Sequence, residues 1–78
     1  MTTIQIYGTG CPKCILLAQH AEAAAQDLGL DYQIEKVTDI NAIIDAGILS
    51  TPGLGVNGEV KSTGRVLSAE AIKPLLRP

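Results

Sequence analysis

The two cysteines of this 78-residue chain stand three positions apart, as Cys11-Pro12-Lys13-Cys14. Thiols at that spacing can cycle between dithiol and disulfide, hold a soft metal as thiolates, or staple the backbone. On a helix, residues three apart bring their Cβ atoms to about 5–6 Å, and a slight local adjustment then reaches disulfide geometry. Such a bridge closes a very small loop, removes little unfolded-state entropy and makes a poor staple. A closed zinc site needs a fuller ligand set than two thiolates. The single histidine, His20, lies roughly 240° around the helix from Cys14 at about 3.6 residues per turn, so it points elsewhere.

The flanks show which elements must position the pair. TIQIYG, Thr3 to Gly8, is short, rich in β-branched residues and ends at glycine, which predicts a strand. From Pro12 to Leu28 the residues Cys14, Leu17, Ala18, Ala21, Ala25 and Leu28 recur at helical spacing, and Gly29 supplies a stop. Asp31 to Thr38 predicts a second strand. Asp39 then caps a short helix through Ala46, with Ile40, Ile43 and Ile44 as an apolar stripe assigned to the core. Asn57-Gly58 is a type I′ hairpin dipeptide between Leu54–Val56 and Val60–Ser62. Ser68 caps a last helix carrying Ile72, Leu75 and Leu76, in which Pro74 should shorten or kink the helix.

The order is therefore β-α-β-α-β-β-α. A helical crossover makes the first two strands parallel, and the Asn-Gly turn makes the last two antiparallel. The prediction is an α/β fold, a mixed four-stranded sheet with helices on both faces, built as a single domain over 1–78.

On this register Cys14 belongs to the buried stripe, and Cys11 lies one turn earlier, at or just before the helix N-terminus. Free backbone N–H groups and the helix dipole favour an anion there, and Lys13 adds a nearby positive charge that tunes the thiol. The thiolate is the nucleophile of disulfide exchange. Cys11 is thus the expected attacking sulfur and Cys14 the sheltered, resolving one. Pro12 suits the first turn, where its missing N–H would have been unpaired anyway. Tyr7 is read as a packed strand residue, His20 as a solvated helix residue and Arg65 as a surface charge.

A strand, a glycine-containing loop, Cys-Pro-x-Cys, a helix, and then Thr51-Pro52 ahead of a hairpin follow one another along the chain. In this arrangement the chain resembles the thioredoxin/glutaredoxin superfamily over essentially its whole length. The likeness is closest to the short microbial thioredoxin-like redox-active disulfide proteins. It implies a thioredoxin-like fold, a cis Pro52 facing the two cysteines, a Thr51 whose backbone pairs with substrate, and a Gly64 lining the same groove. It also implies a thiol–disulfide oxidoreductase acting on a protein or small-molecule disulfide without a dissociable cofactor. Glutathione or a flavin-dependent reductase would then re-reduce the pair. The chain departs from the pattern in three places. No Trp precedes Cys11, no acidic residue lies in the first strand to accept the Cys14 proton, and Thr63-Gly64-Arg65 replaces the Gly-Gly-x-Asp with which many glutaredoxins hold glutathione.

Composition narrows the partners. Six Lys+Arg against eight Asp+Glu, with Tyr7 and Tyr32 the only aromatic residues, give neither a basic patch nor stacking platforms. Nucleic acid is excluded as a primary partner. No window approaches the roughly 20 apolar residues that span a bilayer, and Met1-Thr-Thr leads straight into an alternating stretch without a leader pattern. The expectation is a soluble, cytoplasmic protein with no membrane insertion, in which two close cysteines signify chemistry rather than a secreted disulfide scaffold. Two other readings stand beside it: a zinc or copper carrier using the CxxC thiolates, and a redox-inert thioredoxin-like module that binds partners through the Pro52 groove.

Overall fold

The computed structural model describes residues 1–77; Pro78, the last residue of the expected 1–78 domain, lies outside the described residues. The elements are β1 (Thr2–Tyr7), α1 (Pro12–Asp27), β2 (Tyr32–Val37), α2 (Ile40–Asp45), β3 (Gly53–Val56), β4 (Glu59–Thr63) and α3 (Ala69–Leu76). The strands form one sheet in the order β2-β1-β3-β4. β1 pairs with β2 in parallel, Thr2 opposite Tyr32 through Tyr7 opposite Val37, and with β3 antiparallel. The β3–β4 hairpin turns at Asn57 and Gly58, whose φ values of 53 and 87 are the positive pair that a type I′ turn needs.

Alternation along β1 divides the protein into two layers. Ile4 and Ile6 point to the side where α1 and α3 lie, and pack with Leu54, Val56, Leu17, Ala21, Ala25, Ile72 and Leu76. Tyr7 points to the opposite side, against Ile43 of α2 and Ile48. Helices therefore cover both faces, as the sequence order predicts. The alanines of α1 are wholly buried at positions 21, 24 and 25; side chains this small let the helix sit close to the sheet. Among the described residues, no helix is long and apolar enough to cross a membrane.

Two details differ from the expectation. The isoleucine stripe of α2 is not core throughout: Ile43 is 3% exposed, but Ile40 and Ile44 are 61% and 56% exposed. A helix of six residues resting on a sheet by one turn can bury one such side chain, and the other two face outward. Pro74 lies inside α3, which runs two residues past it to Leu76, as the placing of Leu75 and Leu76 on the helix implies. Its missing N–H falls opposite Glu70 in the first turn, while Ile72 and Leu76 anchor the helix in the core. His20 is half-buried rather than solvated, and its Nδ1 lies 2.8 Å from the Leu67 carbonyl oxygen, tying α1 to the segment before α3.

Candidate active site

β1 ends at Tyr7, and the loop Gly8-Thr9-Gly10 delivers the chain into α1. Cys11 is the N-cap of α1, with extended backbone (φ −66, ψ 160), and Pro12 opens the helix. An N-cap side chain ordinarily accepts a hydrogen bond from the backbone N–H two or three residues on. Here a sulfur takes that place: the Cys14 N–H donates to Cys11 Sγ at 3.3 Å. The Cys-x-x-Cys spacing is thus also the N-cap-to-N3 spacing, and the helix start itself provides a donor for a thiolate.

The two thiols are free and unequal: Cys11 is half-buried and Cys14 is buried, at 5% exposure. The Cys14 thiol, hydrogen-bonded to Cys11, is the largest influence holding the Cys11 thiol below its ordinary pKa. The Cys14 backbone N–H adds to it, and the N–H groups of Lys13 and Cys11 add less, against an opposing effect of burial. Cys14 moves the other way. Burial pushes its pKa up, and interaction with the Cys11 side chain adds to the rise by favouring the protonated form. Lys13 itself extends an exposed side chain from the first turn.

This asymmetry has a pH consequence. The thiolate fraction of Cys11 rises as pH climbs through its pKa, so a lowered pKa moves the whole reactivity curve toward acid. Alkylation of Cys11, followed as a function of pH, should inflect below the ordinary thiol value and slow as the solution is acidified through that point. Cys14→Ala should move the inflection to higher pH, because it removes the strongest stabilising partner while keeping the backbone donor. An unmoved inflection would show that the Cys14 side chain does not set the Cys11 pKa.

The other expected site residues gather at the same end of the sheet. The Thr51–Pro52 peptide bond is cis, Thr51 is exposed and Pro52 is buried. A Cβ built on Gly8 would lie 2.3 Å from Cys14 Sγ and 3.9 Å from Thr51 Cβ, so the loop, the inner sulfur and Thr51 meet around this one glycine. Gly64, at φ 69, donates its N–H to the Pro52 carbonyl at 2.8 Å, which joins the end of the hairpin to the same spot. Arg65 is exposed beside it, and Tyr7 is buried in the sheet. Among the described residues, no three His, Cys, Asp or Glu side chains group closely enough to hold a metal ion. His20 is engaged with Leu67 on another face of α1.

Sequence reasoning missed one component. Ile40, Ile44 and Leu49, the last 92% exposed, line a groove with Thr9 and Thr51. No charged side chain lines it. The only signal was the apolar density of the stretch INAIIDAGIL, which reads equally well as core.

A family model described as a thioredoxin domain matches residues 2–77. A protein named thioredoxin from Methanothermobacter thermautotrophicus is 47% identical over 76 residues, covering 97% of this chain and 99% of its own length. A second protein of that name, from Methanocaldococcus jannaschii, is 39% identical over 77 residues, covering 99% of this chain and 88% of its own.

Proposed function

Since the chain belongs to the thioredoxin family and is a thiol–disulfide oxidoreductase with a CxxC pair, we propose that Cys11 attacks and Cys14 resolves. The Cys11 thiolate attacks one sulfur of a partner disulfide. That S–S bond breaks, the displaced partner sulfur leaves as a thiolate and takes a proton from solvent, and a Cys11–partner mixed disulfide forms. Cys14 then loses its proton to solvent and attacks Cys11 Sγ. The mixed disulfide breaks, the partner leaves with its second sulfur reduced, and the Cys11–Cys14 bond closes. Two electrons have passed from the dithiol to the partner. The hydrogen bond that the Cys14 N–H donates to Cys11 Sγ, with Cys14 the more buried of the two, is the observation that carries this reading.

Thr51 is assigned to backbone pairing with the partner, Pro52 to the wall behind the sulfurs, and Gly64 to the far side of the groove. The meeting of Thr51 and Cys14 at Gly8 supports the first, and the Gly64–Pro52 hydrogen bond supports the last. Lys13 is assigned to tuning the Cys11 thiolate, through its N–H and through its charge in the same turn. The protein works as a single domain over 1–78 in the cytoplasm, without a dissociable cofactor, and an external reductase or glutathione restores the dithiol.

For the partner we favour a polypeptide disulfide flanked by aliphatic side chains over glutathione disulfide. Glutathione presents two carboxylates and an amine, and the groove beside Thr51 is lined by isoleucine, leucine and threonine. Exposed apolar clusters of this kind mark contact surfaces. Replacing Ile44 and Leu49 together with serine should leave the fold intact, since both side chains are mostly exposed. At about 1 kcal/mol for each side chain's lost burial, kcat/KM for a disulfide-linked polypeptide should fall by about tenfold or more. The rate with glutathione disulfide should not change. Equal losses with both substrates, or none with either, would refute this assignment of the groove.

A further inference from the structure

Five of the eight glycines sit at positive φ, where the backbone itself favours glycine; Gly8 does not. Its conformation is open to alanine, so the reason for glycine there must be steric. At Gly53 and Gly55, which also lack positive φ, an added Cβ would meet Ile48, Tyr7 and Gln5. At Gly8 it would meet the sulfur of Cys14 at 2.3 Å and the Cβ of Cys14 at 3.3 Å. Real Cβ atoms essentially never come within 3.0 Å of another heavy atom, so the sulfur would have to move. Cys14 sits in the first turn of α1, whose backbone is held by the bond from the Ile15 N–H to the Cys11 carbonyl at 3.1 Å and by the wholly buried Leu17, so the sulfur can move only by turning about its own side chain.

We propose that Gly8 is a positioning residue for the resolving step: its missing side chain is the seat that holds Cys14 Sγ in reach of Cys11 Sγ. The inference rests on the reading that Cys14 resolves the mixed disulfide. In that step the Cys14 thiolate must form the new S–S bond with Cys11 while the partner thiolate leaves, and the incoming sulfur has to lie in line with the breaking bond. A methyl group at position 8 occupies the seat and turns the sulfur away. A small cavity of about 50 Å³ lies alongside, bounded by Gly8, Gly10, Cys14 and Lys36 among others. It gives the displaced thiol somewhere to go, so Gly8→Ala should lose geometry before it loses its fold.

The test separates the two half-reactions. A mixed disulfide is made between Cys11 and thionitrobenzoate, and its first-order decay to the Cys11–Cys14 disulfide is followed by release of the coloured thiol. Gly8→Ala should slow this decay by about tenfold or more, since small misplacements of reacting atoms cost rates of that order or beyond. Alkylation of Cys11, compared between Cys14→Ala and Gly8→Ala/Cys14→Ala, should agree within about twofold. Decay of the Gly8→Ala adduct at the wild-type rate overturns the proposal. If Gly8→Ala does not fold well enough for kinetics, thermal unfolding decides instead: the penalty of Gly8→Ala should shrink in the Cys14→Ala background, where the clashing sulfur is gone. A penalty of equal size in both backgrounds would assign Gly8 to the backbone alone and overturn the proposal. Failure of the underlying reading looks different: a wild-type adduct that decays no faster than that of Cys14→Ser would deny Cys14 the resolving role altogether.

Discussion

Cys11→Ser should abolish disulfide exchange, lowering the rate of reduction of a disulfide-linked polypeptide by about 10³-fold or more. A serine hydroxyl is not ionised near neutral pH, and exchange runs through a thiolate. The same substitution should leave stability unchanged or slightly raised. Cys11 occupies the N-cap of α1, serine is among the preferred residues there, and its oxygen can take over the hydrogen bond that the Cys14 N–H now gives to sulfur. A variant that melts like the parent yet has lost exchange would separate the chemistry of the side chain from its capping role. Substantial exchange in Cys11→Ser would mean that Cys14 can attack, contrary to its 5% exposure and raised pKa.

Cys14→Ser has an equally large effect of a different kind. The first attack should survive, because Cys11 keeps its backbone donor and gains a hydroxyl in place of the thiol that now donates to it. The second step should fail for want of a sulfur. One equivalent of partner should therefore be bound through Cys11, and turnover should stop. On a non-reducing gel of cell extract the variant should accumulate adducts that disappear on adding dithiothreitol. Cys11→Ser/Cys14→Ser should accumulate none. Release of partner by Cys14→Ser as fast as by the parent would show that an external thiol, not Cys14, resolves the intermediate.

Much of this arrangement was legible in the sequence because local chemistry and long-range packing agree. The stretch from Pro12 to Leu28 has one apolar face, a proline at its start and a glycine after its end, and the helix forms there. Asn57-Gly58 fixed the hairpin for the same reason: few other dipeptides accept two successive positive φ values. The inequality of the two thiols also followed from register, since one falls on the buried face and the other at the cap. By contrast, the cis geometry at Pro52 came from family likeness and not from the residues themselves. The failures share one cause. Ile40 and Ile44 carry a helical period, but period identifies a face without saying whether anything covers it. Likewise, His20 has a partner 47 positions away in Leu67, and no local pattern encodes that contact. Gly8 was visible only as the glycine that closes the first strand; the position of the Cys14 sulfur shows what its hydrogen leaves room for.

The central claim is that Cys11 and Cys14 form one reversible redox couple whose outer member meets the partner. An equilibrium titration tests it most directly: the purified protein is poised in dithiothreitol or glutathione buffers, the remaining thiols are alkylated, and the products are weighed by mass spectrometry. The account predicts two species only, doubly alkylated dithiol and unmodified disulfide. They should interconvert with two-electron dependence at a potential between about −270 and −200 mV, the span of thioredoxins and glutaredoxins. A pair that stays alkylatable in every buffer, or a protein that comes off the column with stoichiometric zinc or copper(I) on its thiolates, would contradict it.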